Sequence, residues 1–225
     1  MRTKKMQRGF TLVEIAIVLV IIGLLLGGIL KGQEMITQAK IKNVIADMSG
    51  VSAAMFGYQD RYRALPGDDK AALPRWASAD PGDGDGIIEG AYLSATLTDE
   101  SVNFWHHLRL AGFVAGTGTD QPFNAVSGRM GVQTGDGAST PTGVLATPGA
   151  TPTDPTTTPI ATLMMCTANL PDKIAISVDA QMDDGVGTTG NVRGFKQTAP
   201  NPAIAATAET YTEDGVSTYV VCRQM

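Results

Sequence analysis

Residues 1–30 read MRTKKMQRGFTLVEIAIVLVIIGLLLGGIL, and everything else turns on how Glu14 is read within that run. From Phe10 to Leu30 its carboxylate is the only charge in 21 positions. At 1.5 Å rise per residue, roughly 20 apolar residues carry a helix across the hydrocarbon core of a bilayer. Arg2, Lys4, Lys5 and Arg8 precede the run, which keeps that end cytoplasmic and exports the C-terminal body. A cleaved secretory signal is one reading. The length of the stretch opposes it, and so does the adjoining LKGQEMITQ, which offers no small-x-small cleavage site. A plain single-pass anchor fits the flanks, although Lys31 and Lys40 reduce their asymmetry. Neither reading accounts for Glu14, because a carboxylate in the membrane interior costs roughly 2.5–3.5 kcal/mol on insertion scales.

A charge held at that cost implies a partner. A cut between Gly9 and Phe10 would place Glu14 in the first turn of a helix, where the dipole favours an anion by up to about 1 kcal/mol. It would also free a cationic amine at Phe10. Opposite charges about 4 Å apart at an effective dielectric near 20 attract by about 4 kcal/mol, enough to offset the insertion cost. The amine can belong to the same chain or to a neighbouring copy.

RGFTLVEIAIVLVIIGLL resembles the N-terminal signature of type IV pilins and of the pseudopilins of type II secretion. The resemblance implies a leader over residues 1–9, cleavage after Gly9 by a prepilin peptidase, methylation of the new N-terminus at Phe10, and a role for Glu14 in assembly. It also implies a helical homo-oligomeric filament, other pilins or pseudopilins as partners, and an inner-membrane assembly platform. The expected location is the bacterial inner membrane, then a periplasmic or extracellular filament. Many pilins carry a proline partway along this helix. Here Lys31 lies near that place with Gly23, Gly27, Gly28 and Gly32 around it, and these glycines are expected to let the stretch loosen within a filament.

Beyond Lys31 the pattern becomes amphipathic. Ile41, Val44, Ile45, Met48, Val51, Met55, Tyr58 and Tyr62 recur at three- and four-residue intervals until Pro66-Gly67. One helix over residues 11–63, about 80 Å long, is predicted. Its filament-core part covers residues 10–30 and its amphipathic part 31–65; residues 66–225 form an exported head. The fold class is α+β, a long helix packed on a small antiparallel sheet with long loops.

Within the head, TDESVNFWHHLRLAG reads as a helix capped by Asp99 and stopped at Gly112, with Val102, Trp105 and Leu108 facing inward. KIAISVDAQM alternates at period two and is predicted as a strand, and TYTEDGVSTYVV as a hairpin turning at Asp214-Gly215. The Gly/Thr/Pro-rich stretch from Gly116 to Pro159 reads as loops with at most short strands. Trp76 is expected as a buried plug under the acidic loop PGDDKAALPRWASADPGDGDGIIEG.

Aligning Gly86 of that loop with the invariant glycine of a calcium loop puts Asp83 and Asp85 at ligand positions and Glu89 at the often water-mediated one. The template fails at Pro81 and Tyr92, and Asp80 would have to replace the first ligand. Calcium and a solvated acidic turn both stand; Asp183-Asp184 reads as a turn. Cys166 and Cys222 would face an oxidising compartment. They form either a disulfide, as in the C-terminal loop of many type IV pilins, or two buried thiols.

The chain has 17 basic and 22 acidic residues, and the first nine residues hold four of the basic ones and no acid, leaving −9 on the remainder. That balance argues against wrapping nucleic acid. His106 and His107, the two histidines, diverge by about 100° on a helix and make no metal pair. No nucleophile elbow, zinc-protease helix or phosphate-cradling loop occurs, so the chain reads as a structural subunit rather than an enzyme. Three alternatives are a pseudopilin, a minor priming pilin of a secretion or DNA-uptake system, and, from another class, a membrane-tethered calcium-dependent binding module without polymerisation.

Overall fold

The structure, a computed structural model, describes residues 11–149 and 158–225. Helix α1 runs Leu12–Tyr62, within one residue of the predicted span at each end. The chain divides into two units after Ala39. In the first, residues 12–39 of α1 are helical throughout and exposed at nearly every position. The helix is unbroken through Gly23, Gly27, Gly28 and Gly32, and a Cβ built at any of them meets nothing within 4 Å. Among the described residues α1 is the one helix long and apolar enough to cross a membrane.

The second unit, Lys40–Met225, contains the hydrophobic core. Here α1 buries Ile41, Val44, Met48, Val51, Ala54, Met55 and Tyr58, while Ile45 and Tyr62 pack at the edge. This is the stripe expected from the sequence. The helix closes where Arg63 takes a left-handed φ of 56° and donates its N–H to the Gln59 carbonyl at 2.8 Å. A single turn, α2 (Ala72–Arg75), comes next, then α3 (Glu100–Leu110). Val102, Trp105 and Leu108 of α3 are buried as expected, and Gly112 ends the helix at φ 79°. Asp99 stands at the N-cap position, but its side chain caps nothing; its Oδ2 accepts the Ser94 hydroxyl at 2.6 Å instead. Trp76 is half-buried at the core's edge, and the fully buried tryptophan is Trp105.

Four antiparallel strands form one sheet in the order β1-β2-β4-β3: β1 Met130–Thr134, β2 Leu163–Pro171, β3 Val192–Lys196 and β4 Thr218–Gln224. Both faces are covered. Met130, Val132, Met165, Val192, Tyr219 and Val221 join the helix-side core, whereas Met164, Cys166, Phe195, Val220 and Cys222 pack under loop residues such as Tyr92, Leu145 and Ile160. On β1, Gly131 admits the crossing loop so closely that a Cβ there would lie 2.0 Å from the Tyr92 carbonyl oxygen.

Two predicted strands are corrected. KIAISVDAQM forms helix α4 (Asp172–Met182), burying Ile174, Ala175, Val178 and Asp179 at helical spacing. Residues 174, 176 and 178 satisfy the strand period while 174, 175 and 178 satisfy the helical one, and packing against the sheet selects the helix. The Asp214-Gly215 turn does not join two strands. The N–H groups of Asp214 and Gly215 donate to Asp172 Oδ2 at 2.8 and 2.6 Å, pinning the turn to the start of α4. Only its C-terminal arm is a strand, β4.

Cys166 and Cys222 are directly paired across β2 and β4 and joined by a disulfide spanning 56 residues. On the chain-entropy model a loop of that length stabilises the fold by about 4 kcal/mol. A Cys166→Ser/Cys222→Ser chain should therefore unfold at lower urea, losing about 4 kcal/mol, as followed by the fluorescence of Trp76 and Trp105. A midpoint equal to the parent's would show that the central strand pair needs no covalent tie.

Candidate functional site

In the head, the acidic loop is organised by Asp68 near its own start and by Glu100 of α3. Asp68 is buried, and its carboxylate accepts the N–H groups of Gly84 and Gly86, the latter at 2.8 Å. Those glycines sit at φ 71° and 89°, a region that favours glycine, so the acid and the turn select each other. Asp83 and Asp85 each accept an N–H two residues on, from Asp85 at 3.1 Å and Ile87 at 2.8 Å. Carboxylate oxygens of Asp68, Asp83 and Asp85 lie within 4.8 Å of one another. Asp80 and Glu89 are not in that group. The Asp80 backbone carbonyl faces His107, and the Glu89 N–H donates to Glu100. Asp68, fifteen positions before Asp83, was missed because a contiguous loop template looks only within its own window. An open cavity of about 520 Å³, lined by Tyr62, Arg63, Asp68, Lys70 and Gly84 among others, lies alongside.

Glu100 is buried beneath the loop and accepts the Asp83 and Glu89 N–H groups at 3.3 and 3.2 Å. Burial, reinforced by the nearby Asp68 and Asp83 charges, pushes its carboxyl up to about 7. Burial likewise raises Asp68. His107 is fully buried. Its Nδ1 accepts the Gly67 N–H at 2.9 Å, so Nε2 carries the proton and donates to the Asp80 carbonyl at 2.8 Å. Burial lowers it to about 4. It is a neutral pin between α3 and the ends of the acidic loop. Next to it Tyr58 donates to Asp69 at 2.7 Å, Asp69 pairs with Arg75, and burial pushes the phenol up to about 12.

At the other end of the chain, Gly9 and Phe10 lie outside the described residues. Glu14 is in the first turn of α1. Its Oε2 accepts both the Thr11 N–H and the Thr11 hydroxyl at 2.8 Å, and Thr11 Oγ1 accepts the Glu14 N–H at 3.3 Å. Thr11 is a partner of Glu14 that the charge pattern alone does not reveal, although T-x-x-E ahead of an apolar run is a recognisable signal. The surrounding residues, Leu12, Val13, Ile15 and Ile17, are exposed and apolar.

Residues 4–30 match the family model described as the prokaryotic N-terminal methylation motif, the signature of type IV pilins and pseudopilins. That motif marks a structural rather than a catalytic family. No curated protein matches the chain.

The charged groups of the head set a pH dependence with opposing signs. Glu100 keeps its proton to about 7 when folded and loses it near 4.5 when unfolded, so its contribution to stability falls as pH rises through that interval. Asp179, raised to about 6 by burial, acts in the same direction from 3.8 upward. His107 works the other way, its contribution being lost as pH falls from 6.5 to about 4. Glu100→Gln should remove one proton's worth of slope, about 1.4 kcal/mol per pH unit, between about pH 5 and about pH 7. Urea midpoints collected across that interval would show it, and a slope equal to the parent's would assign the dependence elsewhere.

Proposed function

We propose that this chain is the structural subunit of a type IV pilus-like filament, cleaved by a prepilin peptidase between Gly9 and Phe10, methylated at Phe10 and assembled through α1. One observation carries the reading: within the matched motif, an exposed apolar helix of membrane length holds a single carboxylate, Glu14. Such a helix buries its surface in lipid when stored and against other helices when assembled. The carboxylate, which costs roughly 2.5–3.5 kcal/mol at the centre of a bilayer and less near its edge, gains about 4 kcal/mol beside an amine at about 4 Å. The amine freed at Phe10 of a neighbouring copy meets that need and sets the register between copies. The peptidase and its methylating activity, the inner-membrane platform and other pilins are the partners this implies. The chain itself is read as non-catalytic.

Among filament types, the disulfide between β2 and β4 favours a pilin over a pseudopilin, because pilins often close a C-terminal loop in this way. A calcium-dependent tether without polymerisation is the second reading. What favours it is the convergence of Asp68, Asp83 and Asp85; calcium takes six to eight oxygens, so backbone carbonyls or water would complete the shell.

Two measurements separate these readings. Material sheared from cells should give an N-terminal mass beginning at a methylated Phe10, and Glu14→Ala should abolish it while leaving the chain in the membrane. Fibres at parental yield from Glu14→Ala would refute the role given to Glu14, and a parent chain that keeps its leader and yields no sheared material would refute the filament reading. Calorimetric titration of the chain with calcium should give heat that Asp83→Asn/Asp85→Asn removes, and silence at millimolar calcium would retire the tether.

A further inference from the structure

Glu14 is held before any partner arrives. The Thr11 carbonyl receives the first helical bond, from the Ile15 N–H at 3.4 Å, which makes Thr11 the N-cap of α1. Its hydroxyl accepts the Glu14 N–H, and Glu14 Oε2 reaches back to the Thr11 N–H, closing a reciprocal capping box. The hydroxyl proton is directed to the same Oε2. All the bonds to this carboxylate therefore converge on one oxygen, and Oε1 has no partner among the described residues. Nor can a described cation of the same helix supply one. The first in sequence, Lys31, is about 25 Å further along the axis and is paired with Glu34 at 2.7 Å.

We infer that Thr11 is the positioning residue of the assembly carboxylate: its capping box fixes Glu14 through Oε2 and presents Oε1 to the cationic amine of a second copy of this chain. The inference rests on the filament reading and adds a division of labour between the two oxygens. In hydrocarbon no water can replace a lost partner, so turning Glu14 away would orphan the Thr11 N–H. The box therefore stays closed in the stored subunit, and docking needs no side-chain rearrangement, which is how preorganisation favours binding.

The test uses the full chain. Substituting Thr11→Val removes the hydroxyl at constant shape, Thr11→Ser keeps it, and Glu14→Gln keeps a capping partner while removing the charge. In detergent micelles, amide hydrogen exchange at residue 14 should speed up about five- to tenfold in Thr11→Val and return to the parental rate in Thr11→Ser. Glu14→Gln should retain protection at residues 11 and 14. In cells, the yield of sheared filaments should fall several-fold with Thr11→Val, recover with Thr11→Ser and vanish with Glu14→Gln. Parental yield from Thr11→Val, or unprotected amides in the parent chain, overturns the inference. A Thr11→Val chain that stays uncleaved is judged on the amide rates alone. If the parent chain makes no filaments, the filament reading fails, while the micelle measurement still decides whether the box exists.

Discussion

Apolar surface that a chain cannot bury by itself has to be buried by something else, and α1 contains such a surface next to one that is fully satisfied. Up to Ala39 the helix is apolar and exposed; from Ile41 onward only one stripe is apolar, and that stripe is covered. Burying a side chain such as Ile41, Met48 or Tyr58 contributes roughly 1.5–3 kcal/mol, so the second part of the helix contributes heavily to the head's core. The first part contributes nothing of the kind in a single copy. Its glycines make the same point, since no neighbour crowds Gly23, Gly27, Gly28 or Gly32. Lipid and other helices are the two environments that cover a surface of this chemistry.

The helix was legible in the sequence because its signals are long and redundant: an apolar run, a three- and four-residue stripe, then Pro66-Gly67. The α3 helix was legible for similar reasons. A small antiparallel sheet was legible, and so was β4 in STYVV, but the other three strands were not, and their burial explains why. Residues 163–171, LMMCTANLP, send Met165 to the helix-side core and Met164 and Cys166 to the loop-side core, so no polar face marks the strand. VRGFK is as well hidden, with Val192 on one side and Phe195 on the other. KIAISVDAQM misled in the opposite way, since a short apolar run fits either period until a partner surface exists. At the acidic loop, local spacing pointed to Asp83 and Asp85, whose carboxylates converge, and also to Asp80 and Glu89, which stand outside that group. It does not reach Asp68, which joins the cluster by tertiary approach, nor Thr11, whose tie to Glu14 is a cap and not a charge pairing.

The head's acidity has a structural use that recurs. Long loops leave backbone N–H groups without strand or helix partners, and buried donors need acceptors. Asp68 takes the N–H groups of Gly84 and Gly86, Asp172 those of Asp214 and Gly215, Asp179 that of Gly185, and Asp183 those of Asn191 and Val192. Glu100 serves two donors in the same manner. In most of these cases the donor sits in a glycine-containing turn. A carboxylate suits the task because it accepts through two oxygens and never presents a competing donor while ionised.

The same device governs the N-terminus, where its context changes the outcome. In the head a carboxylate that has collected backbone donors is finished, because the fold gives its remaining lone pairs to neighbouring donors or to solvent. Glu14 collects its donors through one oxygen in a segment with no solvent to claim the other once it is in lipid. Identical local chemistry thus closes a loop in one place and leaves an open acceptor in the other. The difference lies in what surrounds the carboxylate: the head offers further donors or water, whereas an apolar helix in lipid offers nothing beyond its own cap. In the proposed filament, an acid so placed would confer specificity on a contact that hydrophobic surface alone would leave free to slide, since only one axial offset between two such helices would bring an amine to it.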